Sequence, residues 1–217
     1  MLAELQDHLT KIYRVDPGYD VRDFLITDPV VAGTLGQGAL LSNSAESVLL
    51  VEEDDGLAMS VFLDRDLLER LQDAKPFKQL KADQLNDLWT VLEGISHFNY
   101  IAWRARKNRN VSLLELELQA EIDKFVSTLL IAVAQDDCEF SSKLHGWLFD
   151  DVSFSPELDR NQQERYSTAN DYAARFCHRL MDRWSRDQRE VLKELRQFYR
   201  LSQREKISHI NASAFSA

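Results

Sequence analysis

The sequence predicts a mainly α protein of the α+β kind: a helical bundle with a small antiparallel β-hairpin or sheet in its N-terminal third. Three observations carry that expectation. Most of the 7 glycines and 4 prolines lie before residue 77, so the rest of the chain is nearly free of the residues that cost most in helix interiors. Over that later part, apolar residues recur at three- and four-residue steps. Earlier, two β-favouring runs flank Asp54-Asp55-Gly56, a turn that glycine's tolerance of positive φ suits.

The elements follow in order. Residues 2–14 read as a helix with Leu2, Leu5, Leu9 and Ile12 on one face, broken by Asp16-Pro17-Gly18. Residues 21–26 are apolar enough for a strand, and Asp28 with Pro29 opens a short turn of helix, after which Gly33, Gly36 and Gly38 punctuate a loop. Residues 48–53 and 57–63 make the hairpin, with Leu57, Met59, Val61 and Leu63 on one face. A two-stranded ribbon is marginal alone, so residues 21–26 are expected as a third strand with a helix packed on the sheet. Helices are then expected over 66–74, 84–107, 112–135 and 140–149, followed by one opened by Ser155-Pro156 and a last one over 186–207. The second of these buries Leu85, Leu88, Trp89, Leu92, Ile95, Ala102 and Trp103. The third starts at the capping pattern Ser112-x-x-Glu115 and becomes apolar nearly all round, which predicts a path through the core. Residues 208–217 carry no Lys, Arg, Asp or Glu and read as a frayed tail. Residues 1–64 are thus expected as a small α+β lobe with the helical region 65–217 packed on it in one compact unit.

Composition narrows the function classes. At 217 residues and 44% apolar content, the chain can bury a core without disulfides or metals as staples. Cys138 and Cys177 lack any CxxC spacing and read as reduced, buried or half-buried thiols. The acidic N-terminus is unlike a signal peptide, and no apolar run approaches the ~18 residues of a membrane span, so a cytoplasmic protein with no membrane partner is expected. The net charge of −10 argues against general nucleic-acid binding. It is unevenly spread: residues 174–206 hold 10 basic against 5 acidic side chains, leaving 16 against 31 elsewhere.

That asymmetry singles out the last predicted helix. Arg186, Arg189, Lys193, Arg196, Arg200 and Arg204 fall in one sector of it, away from Leu195, and several are unfavourable like-charge neighbours. The leading expectation is therefore a non-enzymatic interaction or regulatory protein. Its ridge would engage an acidic protein or a second copy of the chain, arginine suiting bidentate pairing with carboxylates. No cofactor is expected.

A metal-dependent helical enzyme is the second expectation. Glu93 and His97 stand four residues apart on one predicted helix, Glu117 and Glu121 on the next, and the two pairs could face each other across a metal. Helical di-metal proteins use Glu-x-x-His, a three-residue step that is absent here. Projection also places Glu93, His97 and Arg104 opposite the apolar arc, so a solvated stripe is expected instead. Asn99 lies inside the arc and needs a partner there, with a neighbouring backbone group expected. A nucleic-acid accessory role for the basic helix is the third expectation.

Other motifs point to no chemistry. Gly33-x-x-Gly36-x-Gly38 lacks the Lys and Ser/Thr of a phosphate loop and has the wrong order for a dinucleotide fingerprint. The acidic groups Asp136-Asp137-x-Glu139 and Asp150-Asp151 flank His145 without a calcium-loop pattern and read as loop and helix-end residues. The five histidines are dispersed, and no Gly-x-Ser-x-Gly occurs.

Overall fold

The computed structural model describes residues 1–36, 45–53, 56–152 and 158–212. Within them the chain is mainly helical, with one small sheet near the N-terminus. Helix α1 (Leu2–Tyr13) buries Leu5, Leu9 and Ile12 and ends on Arg14 in the left-handed region, φ 51°. Strand β1 (Leu25–Ile26) and helix α2 (Pro29–Leu35) follow, the latter capped by Asp28, whose carboxylate accepts the Val30 N–H at 2.8 Å. The hairpin is β2 (Glu46–Glu53) and β3 (Gly56–Leu63), its Asp54-Asp55 turn lying outside the described residues. Helix α3 (Arg65–Ala74) is capped by Asp64. Then come α4 (Leu85–Ala105), α5 (Leu113–Ala134), α6 (Cys138–Phe149), α7 (Arg160–Trp184), α8 (Gln188–Arg200) and α9 (Gln203–Ala212).

The sheet order is β1-β3-β2. β2 and β3 are antiparallel, with Val48 opposite Val61 and Glu46 opposite Leu63. β1 pairs with β3 in parallel, so the sheet is mixed. The third strand is also shorter than expected. Asp20 accepts the Arg22 N–H at 2.9 Å and Gln6 Oε1 accepts the Val21 N–H at 3.0 Å. These local bonds hold residues 21–24 in a 3-10 turn, leaving Leu25 and Ile26 for the ladder. Gly33 falls inside α2 and Gly36 ends it, while Gly38 lies outside the described residues.

Helix α5 is the axle of the molecule, packing against α1, α4, α6 and α7, as its apolar character predicts. The buried apolar side chains form one cluster from Leu5 to Ile210, with Leu92, Ile95, Ile122, Phe125, Phe176 and Leu195 inside it. Cys177 lies inside as expected, whereas Cys138 is exposed rather than buried or half-buried. Helix α4 packs against α1, α3, α5 and the hairpin, and so sits between sheet and bundle. Ser155-Pro156 lies outside the described residues. The described part of α7 starts instead at a capping box, Asp159 with Gln162.

The last predicted helix is two helices. Leu201 is extended, and the Ser202 N–H donates to Glu205 Oε2 at 2.8 Å, which restarts the chain as α9. Ser202-x-x-Glu205 is a capping pattern present in the sequence, but no glycine or proline marks a break beside it. The expectation of a frayed tail from 208 is overturned as far as Ala212. Ile210 and Lys206 are fully buried and dock α9 onto the bundle. Ile210→Ala is therefore expected to lower unfolding free energy by about 2–4 kcal/mol in urea titration, whereas a loosely attached tail would give no change.

Candidate functional site

Of the four residues singled out for a metal, Glu93 and His97 fall in one cluster of donor atoms, whose third member is Glu46; Glu117 lies beside it against His97, and Glu121 is reached through Lys124. Glu93 and His97 lie a turn apart on α4, Glu117 and Glu121 a turn apart on the adjoining α5. The expected solvated stripe is not there: His97 and Arg104 are buried and Glu93 is only partly exposed. Helix α4 is covered on its polar side as well as on its apolar arc. Glu117 of α5 reaches His97 from one direction and Glu46 of β2 from another.

The geometry at His97 is open. Its Nδ1 stands 3.7 Å from Glu46 Oε1 and its Nε2 3.6 Å from Glu117 Oε2, both too long for a good hydrogen bond. One oxygen each of Glu46 and Glu93 and one ring nitrogen of His97 lie within 4.8 Å of one another. Around them, Lys124 Nζ bonds Glu121 at 2.6 Å and Glu93 at 3.1 Å, and Arg165 Nε of α7 stands 3.7 Å from Glu117. Gly94 gives Glu46 its room. A Cβ there would lie 3.0 Å from Glu46 Cγ, 3.2 Å from Glu46 Oε1 and 3.2 Å from Leu63 Cδ2. The helix thus carries a notch through which the carboxylate from the strand passes.

Burial and charge set the protonation of this group. Desolvation alone would lower the His97 pKa, but Glu117 and Glu46 outweigh it and hold the imidazole well above its ordinary value. Desolvation raises the Glu46 carboxyl despite His97, and raises Glu121 despite Lys124. Glu93 stays below the usual range because Lys124 and His97 overcome its burial. The neighbouring Tyr166 phenol is raised by burial and by the charges of Glu117 and Glu93.

A second buried polar group lies further along the same two helices. Asp123 accepts hydrogen bonds from Tyr13, from Ser96 at 2.6 Å and from Gln119 at 2.7 Å, and burial lifts its carboxyl to about 6 against them. Lys206 of α9 donates to Gln119 Oε1 at 2.6 Å and lies 4.4 Å from the Tyr100 ring centre. Burial depresses its pKa to about 7, only partly offset by Glu115 and Asp123. Arg104 pairs with Glu115, which also accepts the Tyr100 hydroxyl at 2.5 Å, and donates to the Leu201 carbonyl at 2.9 Å. Asn99, for which the sequence favours a backbone partner, instead accepts from the Gln6 side-chain amide at 2.9 Å, and its own Nδ2 has no hydrogen-bond partner among the described residues.

The basic ridge is divided. Arg196 donates to the Ile12 carbonyl at 2.9 Å, and Arg200 to the carbonyls of Tyr13 and Arg14 at 3.2 and 3.1 Å. These two arginines close the C-terminal end of α1, where unpaired carbonyls and the helix dipole favour cations. Lys193 pairs with Glu190 at 3.2 Å on its own helix. Arg186 precedes α8 and Arg204 sits on α9, so the six do not share one helix. Arg186, Arg189 and Arg204 are exposed and make no ion pair among the described residues. Of the acidic residues near His145, Asp137 caps α6 and Asp150 follows its end, as expected.

Glu46, Lys124, Arg165 and Tyr166 were not among the predicted site residues. Glu46 was within reach of the sequence: the two-residue strand period puts it on the face of Val48, opposite the core residues Leu63 and Val61. Comparison with protein-family models, curated proteins and solved structures finds no match to this chain.

The Lys206 value carries a pH dependence of defined sign. The unfolded chain keeps the ammonium proton into the ordinary lysine range, whereas the folded chain releases it from about pH 7. The folded form therefore gains stability as pH rises above 7 and loses it as pH falls through 7. His97, with its raised value, works in the opposite sense there, so the measurement is a difference. Between pH 7 and 9, wild type is expected to gain roughly 1–3 kcal/mol relative to Lys206→Met. A difference that does not vary with pH would refute the assignment.

Proposed function

We propose that this chain is a helical divalent-metal-binding protein that holds one transition-metal ion through Glu46, Glu93 and His97. The observation that carries the reading is the convergence of donor atoms from a strand and a helix within 4.8 Å, around a buried imidazole and two partly buried carboxylates. Two donors about 2.1 Å from a shared tetrahedral ion lie about 3.4 Å apart. The 3.7 Å between His97 Nδ1 and Glu46 Oε1 is near that separation. With Nδ1 on the ion, the Nε2 proton points to Glu117, the carboxylate partner that fixes the orientation of a ligating imidazole. In the named group, the carboxylates Glu46, Glu93, Glu117 and Glu121 stand against the fixed cations Lys124 and Arg165. With His97 neutral, one divalent ion matches the difference. One imidazole with carboxylates suits zinc, manganese or ferrous iron, and three protein donors leave a position for water or a small substrate, as metal-dependent enzymes require.

Chelator-treated protein is expected to take up one equivalent of Zn²⁺ or Mn²⁺ by calorimetry. His97→Ala should weaken that binding by about a hundredfold or more, and Glu117→Gln by about ten- to a hundredfold. Substoichiometric uptake, or uptake indifferent to His97→Ala, would refute the proposal.

The exposed Arg186, Arg189 and Arg204 favour a second reading, an electropositive surface for an acidic partner. Arg196 and Arg200 are excluded from its test because they hold α1. Wild-type protein is then expected to bind a polyglutamate peptide at low salt, and the triple charge reversal of Arg186, Arg189 and Arg204 to Glu to abolish that binding with helicity intact. Equal binding by both proteins removes the ridge from consideration.

A further inference from the structure

We infer that an ion at this site acts as a clasp that holds the outer strand of the hairpin against the helical body, an inference that rests on the metal-binding reading above. The sheet order leaves β2 at the edge, with β3 between it and β1. The two hairpin strands are anchored very differently. β3 drives Val61, Phe62 and Leu63 into the interior, and all three are buried. From 46 to 50, β2 has no buried residue, and Leu50 is 46% exposed. The Glu46 side chain, by contrast, is 12% exposed and lies against Gly94.

The other two donors, Glu93 and His97, belong to α4, which is fixed in the core by Leu88, Leu92, Ile95 and Phe98. An ion shared among the three therefore ties the edge strand, which touches the core through the partly buried Val48, to a helix fixed within that core. The long contact between Glu46 and His97 would become two coordinate bonds through the metal. Linkage makes the consequence quantitative: an ion that binds more tightly when Glu46 is in place must favour the seated strand by the same factor. Gly94 is the positioning residue for this coupling, because any side chain there competes with Glu46 for the notch.

The experiment is amide hydrogen exchange on the full chain, metal-free and saturated with Zn²⁺, with metal stoichiometry measured on the same samples. Exchange over residues 46–50 is expected to slow at least about tenfold in wild type on saturation, with peptides from α1 and α8 unchanged. Glu46→Gln should still bind Zn²⁺ through Glu93 and His97, more weakly, and show no slowing over 46–50 at saturation. The factor by which Glu46→Gln weakens binding should match the factor of slowing in wild type. Gly94→Ala, whose Cβ would press the Glu46 side chain aside by a few tenths of an ångström, should reduce both together. One equivalent of Zn²⁺ bound with unchanged exchange over 46–50, or slowing that survives in Glu46→Gln, overturns the clasp while leaving metal binding in place. Wild type that binds no Zn²⁺ overturns the metal reading and the clasp with it.

Discussion

The constraint on which the rest of the structure depends is the burial of α5 on nearly every side although its N-terminal half is charged. Glu115, Glu117, Asp123 and Lys124 are all buried, together with Gln119, Ser127 and Thr128. An unpaired buried charge costs several kcal/mol, so each of these groups dictates what its neighbours must offer. Helix α4 supplies Glu93, Ser96, His97, Tyr100 and Arg104 at helical steps, a polar ladder opposite that of α5. α1 contributes Tyr13, α7 contributes Arg165 and α9 contributes Lys206. The order in which these elements pack follows from which polar group each brings. A purely apolar axle would tolerate a slipped helix, whereas this one penalises any register that leaves a carboxylate alone.

That constraint also explains what could be read from the sequence and what could not. Hairpin and caps rest on local chemistry, and there the reading holds: residues 46–53 and 56–63 pair as antiparallel strands, and Asp28 and Ser112 cap as expected. The placement of Glu93, His97 and Arg104 rests on a rule for helices covered on one face. Helix α4 is covered on two, and its second cover comes from a strand forty residues earlier, which periodicity within α4 cannot register. Metal candidates on α4 and α5 were recognisable by type and spacing, while Glu46 needed the register of the hairpin against the core. The break at Ser202 was visible as a capping pattern, but no glycine or proline interrupts residues 186–207, so one unbroken helix was the expectation.

The basic ridge teaches a related point about charge asymmetry. The local excess of arginine looked like a surface awaiting an acidic partner, and carboxylates of the same chain were its evident competitors. Two of the arginines are instead taken by backbone carbonyls at the end of α1. Such acceptors are invisible in a count of acids and bases, because every helix carries the equivalent of about half a negative charge at its C-terminus without any acidic residue. Net charge by segment therefore overstates the free positive surface wherever a helix end lies beside it.

The two buried polar groups on the α4–α5 seam differ in a way that separates structure from function. Around Arg104 and Glu115 the partners are closed: the guanidinium pairs with the carboxylate and donates to a carbonyl, and aromatic rings lie beside it. The charge of this group is paired within the protein, although Arg104 Nε has no hydrogen-bond partner among the described residues. Around His97 the partners stand at 3.6 and 3.7 Å, and room for one of them is kept by a glycine in mid-helix, where alanine would be intrinsically more stable by about 1 kcal/mol. A chain selected only for stability would close those distances or fill the notch with a side chain. Buried carboxylates held slightly apart around an imidazole are better suited to an additional cation than to one another, and this difference in spacing, more than the presence of acidic residues, makes the His97 group the functional candidate.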